Sequence, residues 1–448
     1  MIKKKLKFFL IILLLTSCSF DKKTGIWSGS EKEKRRISEL EKEQKSIIEV
    51  KKIYSTENFY DKQINLTKNI IIQNSKKNSS WKMNNLNNQN FLGNIFLNGA
   101  DNLFLKKKIG KNKFPISRVT KSLLSVDDNL ILSDDTGTIF SLNQNGKINW
   151  KKNIYEKAYK KIGKNLAFTI HKNNIYVVDN IGFVYSINLK LGKLSWIKNY
   201  GVPIRSNIKI LNDRAFFVDQ DNRIVCISIK DGSKIWDVLS ISSFIKIQNL
   251  LSLAISKEKN LFALNSSADL YKIDTNTGDI IWYSNTLAST LPDATDFFNS
   301  SDIVIGENQI FFSAGSSFFS YDLSSGLINW ETEVDSVGTP IIVGANIFFV
   351  TYNGYFIIME KNSGKIISSS NILEKLKRKH QQTNISGFIM GSEKIYSVTL
   401  NGYLIISSVK SGKVESFKKI SDLITTYPII SNGKIYILTE NSKVIAFN

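Results

Sequence analysis

The sequence predicts an all-β protein, an eight-bladed β-propeller of four-stranded antiparallel blades. Two observations on its 448 residues predict this fold. A Gly-x-x-x-Trp pair recurs along the chain, and each copy follows two short runs of alternating apolar and polar residues joined by a turn, which is the pattern of a β-hairpin. The spacing of about 44 residues is within the range of propeller repeats.

The repeat has seven copies that share a glycine. Five copies keep the tryptophan, at Gly146/Trp150, Gly192/Trp196, Gly232/Trp236, Gly278/Trp282 and Gly326/Trp330, and two have serine instead, at Gly364/Ser368 and Gly412/Ser416. We expect each glycine to form a tight turn between the third and fourth strands of a blade, where a side chain would be strained. The tryptophans then lie on the fourth, outer strand and fill the gap between neighbouring blades.

Eight hairpin turns are predicted along the repeats. They centre near Gly137, Gly182, Asn222, Ala268, Ser316, Gly354, Gly402 and Ser442. The eighth copy reaches Asn448 without an outer strand. We expect a strand within residues 101–110 to take that place, because pairing the two parts of the chain closes the ring and removes an exposed edge.

The first residues are typical of a secretory signal peptide. Four lysines precede an apolar run over residues 8–15, which is too short to span a bilayer as a stable helix. The segment from Leu15 to Cys18 resembles a bacterial lipobox, which implies that residues 1–17 are removed and that Cys18 is acylated. Ser19, in place of an aspartate, favours the periplasmic face of the outer membrane. A transmembrane anchor and an ordinary cleaved signal are the alternatives.

Residues 18–80 are predicted to form a lipidated, flexible or partly helical tether, followed by the propeller over residues 81–448. The tether is rich in Lys, Glu, Asn and Ser and has few aromatic residues, so it can bury little apolar surface of its own. A capping box, Ser30-x-x-Glu33, could begin a helix within it.

The formal charge of +21 raises the question of a nucleic-acid partner. Because several lysines leave with the signal peptide and the others are expected to be spread along the chain, we predict no nucleic-acid binding. The two histidines, His171 and His380, lack the spacing of metal ligands, and no metal site is expected. Cys226 lies in the apolar run RIVCISI and is predicted to be a buried small side chain.

The segment DTNTGDIIW, residues 274–282, is similar to the repeat of the quinoprotein, or PQQ-like, propeller family. That family includes dehydrogenases that use pyrroloquinoline quinone (PQQ) and calcium, and BamB-like lipoproteins, which have no cofactor and bind proteins. The chain has no pair of adjacent cysteines such as the dehydrogenases often carry, and the acidic residues of its repeats fall mostly at turns, where carboxylates usually cap backbone donors. It therefore resembles the lipoproteins, and neither enzyme activity nor a cofactor is expected.

The resemblance implies a scaffold role in the outer-membrane β-barrel assembly machinery. In BamB-like proteins an arginine and a short acidic loop contact a POTRA domain of BamA, and the matching residues here are Arg205, in GVPIRSN, and Asp296, then Asp293, in PDATDFFNSSD. The lead-in to Arg205 differs from the family pattern, and the acidic loop is longer. Exposed edge strands could also pair with unfolded outer-membrane proteins. A PQQ-dependent periplasmic dehydrogenase and a ligand-binding propeller remain the alternatives.

Overall fold

The structure is a computed structural model that describes residues 62–66, 68–114, 122–240, 250–286, 299–421 and 427–448, with Arg35, Ser38 and Glu39. The chain divides into two compact units, residues 1–59 and residues 60–448. The predicted signal peptide, the lipidation site Cys18 and the capping box at Ser30 lie outside the described residues.

Within the described ranges, thirty-two strands form eight four-stranded antiparallel sheets, which confirms the predicted fold. The closing strand is β1 (Leu103–Lys108). Blade 1 is β2 (Leu123–Val126), β3 (Asn129–Ser133), β4 (Ile139–Leu142) and β5 (Ile148–Lys152); blade 2 is β6 (Leu166–His171), β7 (Asn174–Asp179), β8 (Phe183–Asn188) and β9 (Leu194–Asn199); blade 3 is β10 (Lys209–Leu211), β11 (Arg214–Val218), β12 (Arg223–Ser228) and β13 (Lys234–Leu239); blade 4 is β14 (Leu253–Ile255), β15 (Asn260–Leu264), β16 (Asp269–Asp274) and β17 (Ile280–Asn285).

The second half of the ring continues the same order. Blade 5 is β18 (Val304–Ile305), β19 (Gln309–Ala314), β20 (Ser317–Asp322) and β21 (Ile328–Thr332); blade 6 is β22 (Ile341–Val343), β23 (Asn346–Val350), β24 (Tyr355–Glu360) and β25 (Ile366–Asn371); blade 7 is β26 (Ile385–Gly391), β27 (Lys394–Thr399), β28 (Tyr403–Ser408) and β29 (Val414–Lys419); blade 8 is β30 (Ile429–Ser431), β31 (Lys434–Leu438), β32 (Lys443–Phe447) and β1. A 3₁₀ turn (Lys157–Tyr159) and a one-turn helix, α1 (Arg378–Gln381), lie in loops between blades.

The N-terminal strand completes blade 8, as the sequence predicts. β1 pairs antiparallel with β32, so that Lys106 lies opposite Ile445 and Lys108 opposite Lys443. The outer strand of the last blade thus comes from the start of the ring, and the strand pairing that closes the ring joins residues far apart in sequence.

Burial separates the second and third strands of a blade from its fourth, outer strand. The second and third strands are buried on both faces, as in β11 (RAFFV) and β12 (RIVCIS, with Cys226 buried), because neighbouring blades cover them on either side. Most of the fourth strands, such as β9 (LSWIKN), are largely exposed, whereas β25 (IISSSN) is buried or half-buried along its length. Continuous apolar runs on the second and third strands, and a mixture of apolar and polar residues on the outer strands, follow from this arrangement.

The repeat glycines and tryptophans meet between blades. Gly326, for example, adopts φ +72°, and a Cβ at this position would lie 2.6 Å from Cδ2 of Trp282 on the preceding blade. The same glycine-to-indole contact joins Gly192 to Trp150 and Gly364 to Trp330. The glycine therefore serves both a left-handed turn and the close approach of the indole.

Most of the indole N–H groups bond to the next blade. The Nε1 atoms of Trp150, Trp196, Trp236 and Trp330 donate to backbone oxygens of the following blade at 2.9–3.2 Å. Trp282 differs, because the equivalent oxygen, that of Leu323, accepts instead from Lys272 Nζ, and Trp282 Nε1 has no partner among the described residues.

Side-chain caps recur at the turns between second and third strands. Asp179 Oδ1 accepts from the backbone N–H groups of Ile181, Gly182 and Phe183 at 2.8–2.9 Å. Asp134, Asp219 and Asn265 act in the same way in blades 1, 3 and 4, and threonine hydroxyls do so in blades 6, 7 and 8. The expected capping role of acidic turn residues is therefore present at these positions.

The segment over residues 78–98, which we call the axial segment, runs across the first strands of the blades. These first strands are the inner strands of the ring. It forms hydrogen bonds with the first strand, or with residues beside it, in all eight blades, through the pairs Trp81–Ser125, Lys82–Ile170, Asn88–Ile210, Asn88–Ile255, Gln89–Ile305, Asn85–Thr339, Ile95–Ser392 and Asn98–Gly433. One stretch of about twenty residues thus ties together every blade at the centre.

Contacts with the propeller begin before residue 81. Ile64 exchanges two backbone hydrogen bonds with Ser369 on β25, at 2.9 and 3.0 Å, and Ile70 is buried. The chain therefore contacts blade 6 at Ile64, within the predicted tether.

Candidate partner-binding surface

The loop that carries Arg205 joins blade 2 to blade 3 and is fixed by backbone hydrogen bonds to three blades. The N–H of Ile204 donates to Asp179 O at 3.0 Å, the N–H of Arg205 donates to Val218 O at 2.9 Å, and Arg205 O accepts from Leu251 N at 2.6 Å. These partners belong to, or immediately precede, strands of blades 2, 3 and 4. These three bonds fix the backbone of the loop at Ile204 and Arg205.

The guanidinium of Arg205 is half-buried and lacks a carboxylate. Its Nη2 donates to Gln220 Oε1 at 3.3 Å, its enclosed Nε has no partner, and within the described ranges Arg205 forms no ion pair. Burial lowers the pKa of Arg205 from its ordinary value, although an arginine keeps its charge at neutral pH. A fixed, uncompensated cation of this kind suits a carboxylate on a partner.

The other two predicted contact residues, Asp293 and Asp296, lie outside the described residues. The structure therefore does not test whether they approach Arg205. It adds Gln220, which orients the guanidinium and which sequence reasoning missed, because Gln220 lies in a different loop.

Charge is not spread evenly along the chain. This corrects the expectation that the lysines are distributed along the whole chain. Residues 273–360 contain eleven acidic residues and no lysine or arginine. They form the outer strand of blade 4, all of blade 5 and three strands of blade 6, which we call the acidic sector. Asp279, Glu307, Glu331 and Glu333 are exposed there. Two cations from outside this range also reach the sector, since Arg214 Nη1 donates to Thr275 O and Lys272 Nζ donates to Leu323 O.

The charged side chains described at the centre of the ring, Lys209 and Asp302, bond within the protein. Lys209, at the start of β10, is fully buried, and its Nζ donates to Asn84 O, Asn87 O and Asn90 Oδ1 at 2.6–3.1 Å. Asp302 Oδ2 accepts from the Thr339 hydroxyl at 2.9 Å. Among the described residues no group of three or more His, Cys, Asp or Glu side chains is arranged to hold a metal ion. The charged groups at the centre instead bond to the protein's own axial segment and inner strands.

One open polar pocket lies on the loops of blades 6 and 7. It is lined by Asn353, Asn371, Leu373, Glu374 and the segment 381–384. Glu374 Oε2 accepts from Gln63 Nε2 at 2.8 Å. No further chemistry converges on this pocket in the described structure.

A family model described as outer membrane protein assembly factor BamB matches residues 135–370. The chain belongs to the BamB family. A curated relative, the outer membrane protein assembly factor BamB of Moranella endobia (strain PCIT), is 21% identical over 235 residues, which are 46% of this chain and 58% of that protein. The chain thus matches a little over half the length of this relative.

Solved structures share the fold at low identity. The crystal structure of BamB from Moraxella catarrhalis superposes with a TM-score of 0.60 at 11% identity, covering 78% of this chain and all of the other. The quinohemoprotein alcohol dehydrogenase of Comamonas testosteroni superposes with a TM-score of 0.63 at 10% identity, covering 83% of this chain and 81% of the other. The fold is therefore common to BamB proteins and to quinoprotein enzymes, and it does not separate the two functions.

In the described part of the chain, no helix combines the length and apolar character needed to cross a bilayer.

Proposed function

We propose that this BamB-family protein is a lipid-anchored, non-catalytic scaffold at the periplasmic face of the outer membrane. In this role it is held by Cys18 and binds the POTRA region of BamA, and so aids the insertion of outer-membrane proteins. The family match supports the assembly role. The observation that carries the binding proposal is Arg205, a half-buried cation without a carboxylate, on a loop fixed to three blades.

A scaffold of this kind works by rigidity. A partner that binds a preformed loop loses little conformational freedom of the loop on binding, so more of the contact energy appears as affinity. The bonds of Arg205 and Ile204 to blades 2, 3 and 4 supply this preorganisation. Asp293 and Asp296 are proposed as the acidic part of the same surface.

The test is the affinity of the purified protein for the POTRA region of BamA from the same organism. Arg205→Ala should weaken binding about tenfold or more, because a hydrogen bond to a charged group contributes about 1.5–3 kcal/mol. Arg214→Ala is the matched control, since Arg214 bonds to the backbone oxygens of Thr275 and Asn276 within the propeller and should leave the affinity unchanged.

Thermal unfolding separates a binding defect from misfolding. The Arg205 side chain makes one long hydrogen bond, so Arg205→Ala should keep the wild-type midpoint. Equal affinity of wild type and Arg205→Ala for POTRA would refute the proposed interface. Metabolic labelling with a radioactive fatty acid tests the anchor, and Cys18→Ser should abolish the label.

The enzyme alternative has a direct assay. Protein incubated with PQQ and calcium should neither bind the quinone tightly nor reduce a dye when alcohols are added. Activity in that assay would overturn the scaffold proposal.

A further inference from the structure

The outer strands of the ring differ in how their free edges are protected. Each outer strand exposes one row of backbone N–H and C=O groups, which can pair with another chain, and lysine on such an edge discourages this pairing. Lysine is present in five of the eight, namely β1 (LFLKKK), β5 (INWKK), β9 (LSWIKN), β13 (KIWDVL) and β29 (VESFKK). The remaining three, β17, β21 and β25, lie on consecutive blades.

One of these three edges is covered by the chain itself. Ile64 pairs with Ser369 of β25 through the two backbone hydrogen bonds described above. The protein thus shows that an outer edge without lysine accepts an added extended segment.

Neither of the other two edges pairs with a further strand among the described residues. β17 (IIWYSN) pairs only with β16, and β21 (INWET) only with β20. Their apolar side chains are exposed, with Ile281 at 49% and Tyr283 at 58% of full accessibility, and Leu327 beside β21 at 70%. On an edge without lysine, these exposed apolar side chains offer contacts to a segment that pairs with the strand.

The charge around these edges indicates the kind of partner. Both strands lie in the acidic sector, where the carboxylates of Asp279, Glu331 and Glu333 are exposed. Two cations from outside this range, Arg214 and Lys272, donate to backbone oxygens in the turns that precede these strands. An anionic membrane or an acidic segment would be repelled here, whereas a cationic segment would be attracted.

We propose that the outer edges of β17 and β21 bind a basic, extended polypeptide segment, which pairs with one of these strands as a fifth strand of blade 4 or blade 5. Main-chain hydrogen bonds would supply most of the affinity, and alternate side chains of the segment would lie against Ile281, Tyr283 or Leu327. This proposal deepens the scaffold function by adding a second binding surface on the outer edges of blades 4 and 5, whereas Arg205 lies in the loop between blades 2 and 3.

The probe is a ten-residue peptide of alternating lysine and valine, titrated into the full-length purified protein. We expect saturable binding with a dissociation constant below about 1 mM, which weakens as salt rises. A peptide of alternating glutamate and valine should bind at least tenfold more weakly. Hydrogen exchange of the β17 and β21 amides should slow when the lysine peptide is bound.

Substitutions then locate the site. Ile281→Lys combined with Ile328→Lys places a lysine on β17 and on β21. This double variant should bind the lysine peptide about tenfold or more weakly. The matched control is Ile197→Lys with Ile235→Lys, which makes the same change on β9 and β13 at similarly exposed positions and should have no effect. Strand pairing is tested with a lysine peptide N-methylated at every residue, which has no backbone N–H donor on either edge and should not bind.

Three results would overturn the proposal. They are no binding of the lysine peptide at millimolar concentration, equal binding to the double variant on β17 and β21, and full binding of the N-methylated peptide. A dimer of the free chain that the same double variant converts to monomer would show that a second copy occupies the edge instead. Arg205→Ala should leave peptide binding unchanged, so this proposal and the POTRA contact fail independently.

Discussion

The contact between repeat glycines and tryptophans can be measured with a pair of alanine substitutions. Gly326→Ala forces a side chain into φ +72° and places its Cβ 2.6 Å from the indole of Trp282. Gly201→Ala imposes nearly the same backbone conformation, φ +75°, with no atom within 4 Å of the new Cβ. The difference between the two variants is therefore the collision between blades.

The expected magnitudes follow from the two effects. A non-glycine residue in the left-handed region costs about 1–2 kcal/mol, which is all that Gly201→Ala should lose. Overpacking against a rigid ring adds about 1–3 kcal/mol, so Gly326→Ala should lose about 2–5 kcal/mol of unfolding free energy. The indole cannot move away freely, because Trp282 also packs against Phe262 at 5.8 Å between ring centroids.

The assay is urea unfolding followed by far-UV circular dichroism, with midpoints compared at equal slope. A third and a fourth protein complete a double-mutant cycle, Trp282→Ala alone and combined with Gly326→Ala. Trp282 is the best tryptophan for this cycle, since its Nε1 bonds to no described residue and its removal leaves no backbone oxygen unpaired. In the Trp282→Ala background Gly326→Ala should cost no more than Gly201→Ala does in wild type. Equal losses for Gly201→Ala and Gly326→Ala in wild type would refute the reasoning.

Three further outcomes are expected. Burial lowers the pKa of Lys209 to about 7 from the ordinary 10.5. Between these two pH values the unfolded chain binds more protons than the folded chain, so the unfolding free energy should rise with pH. From pH 7 to 9, wild type should therefore gain stability relative to Lys209→Met, by up to about 1.4 kcal/mol per pH unit. Urea midpoints at each pH check this, and parallel curves would contradict it. Asn90→Ala removes the hydrogen bonds from the Asn90 amide to Leu253 O and Ile303 O, and the bond from Lys209 to the Asn90 oxygen. This variant should lose about 2–4 kcal/mol of unfolding free energy. Asn145→Ala, at an exposed position, should lose less than about 0.5 kcal/mol, and thermal unfolding distinguishes the two. Leu105→Asp, buried in the closing strand, should open the ring to limited proteolysis, while Leu103→Asp on the same strand, half-exposed, should remain resistant.

Much of the fold could be predicted from local patterns. Hairpins were readable because the side-chain period of two and the turn residues are local, and the eight hairpin turns between Gly137 and Ser442 predicted the number of blades. Closure by residues 101–110 also followed, because a repeat that lacks one strand must obtain it elsewhere. The position of Arg205 in a loop was readable from sequence, but its partner Gln220 and its half-buried state were not.

The sequence by itself determined the repeat, the strand order and the excess of acidic residues over positions 273–360. The tertiary structure alone decided what the axial segment does, since its asparagine-rich run has the composition of a solvated loop. Its side chains and backbone instead bond to groups at the inner strands of distant blades, as Asn90 does to Leu253 and Ile303. The physical reason is that such groups need partners wherever the ring buries them, and only the closed ring brings eight inner strands close enough for one segment to supply those partners.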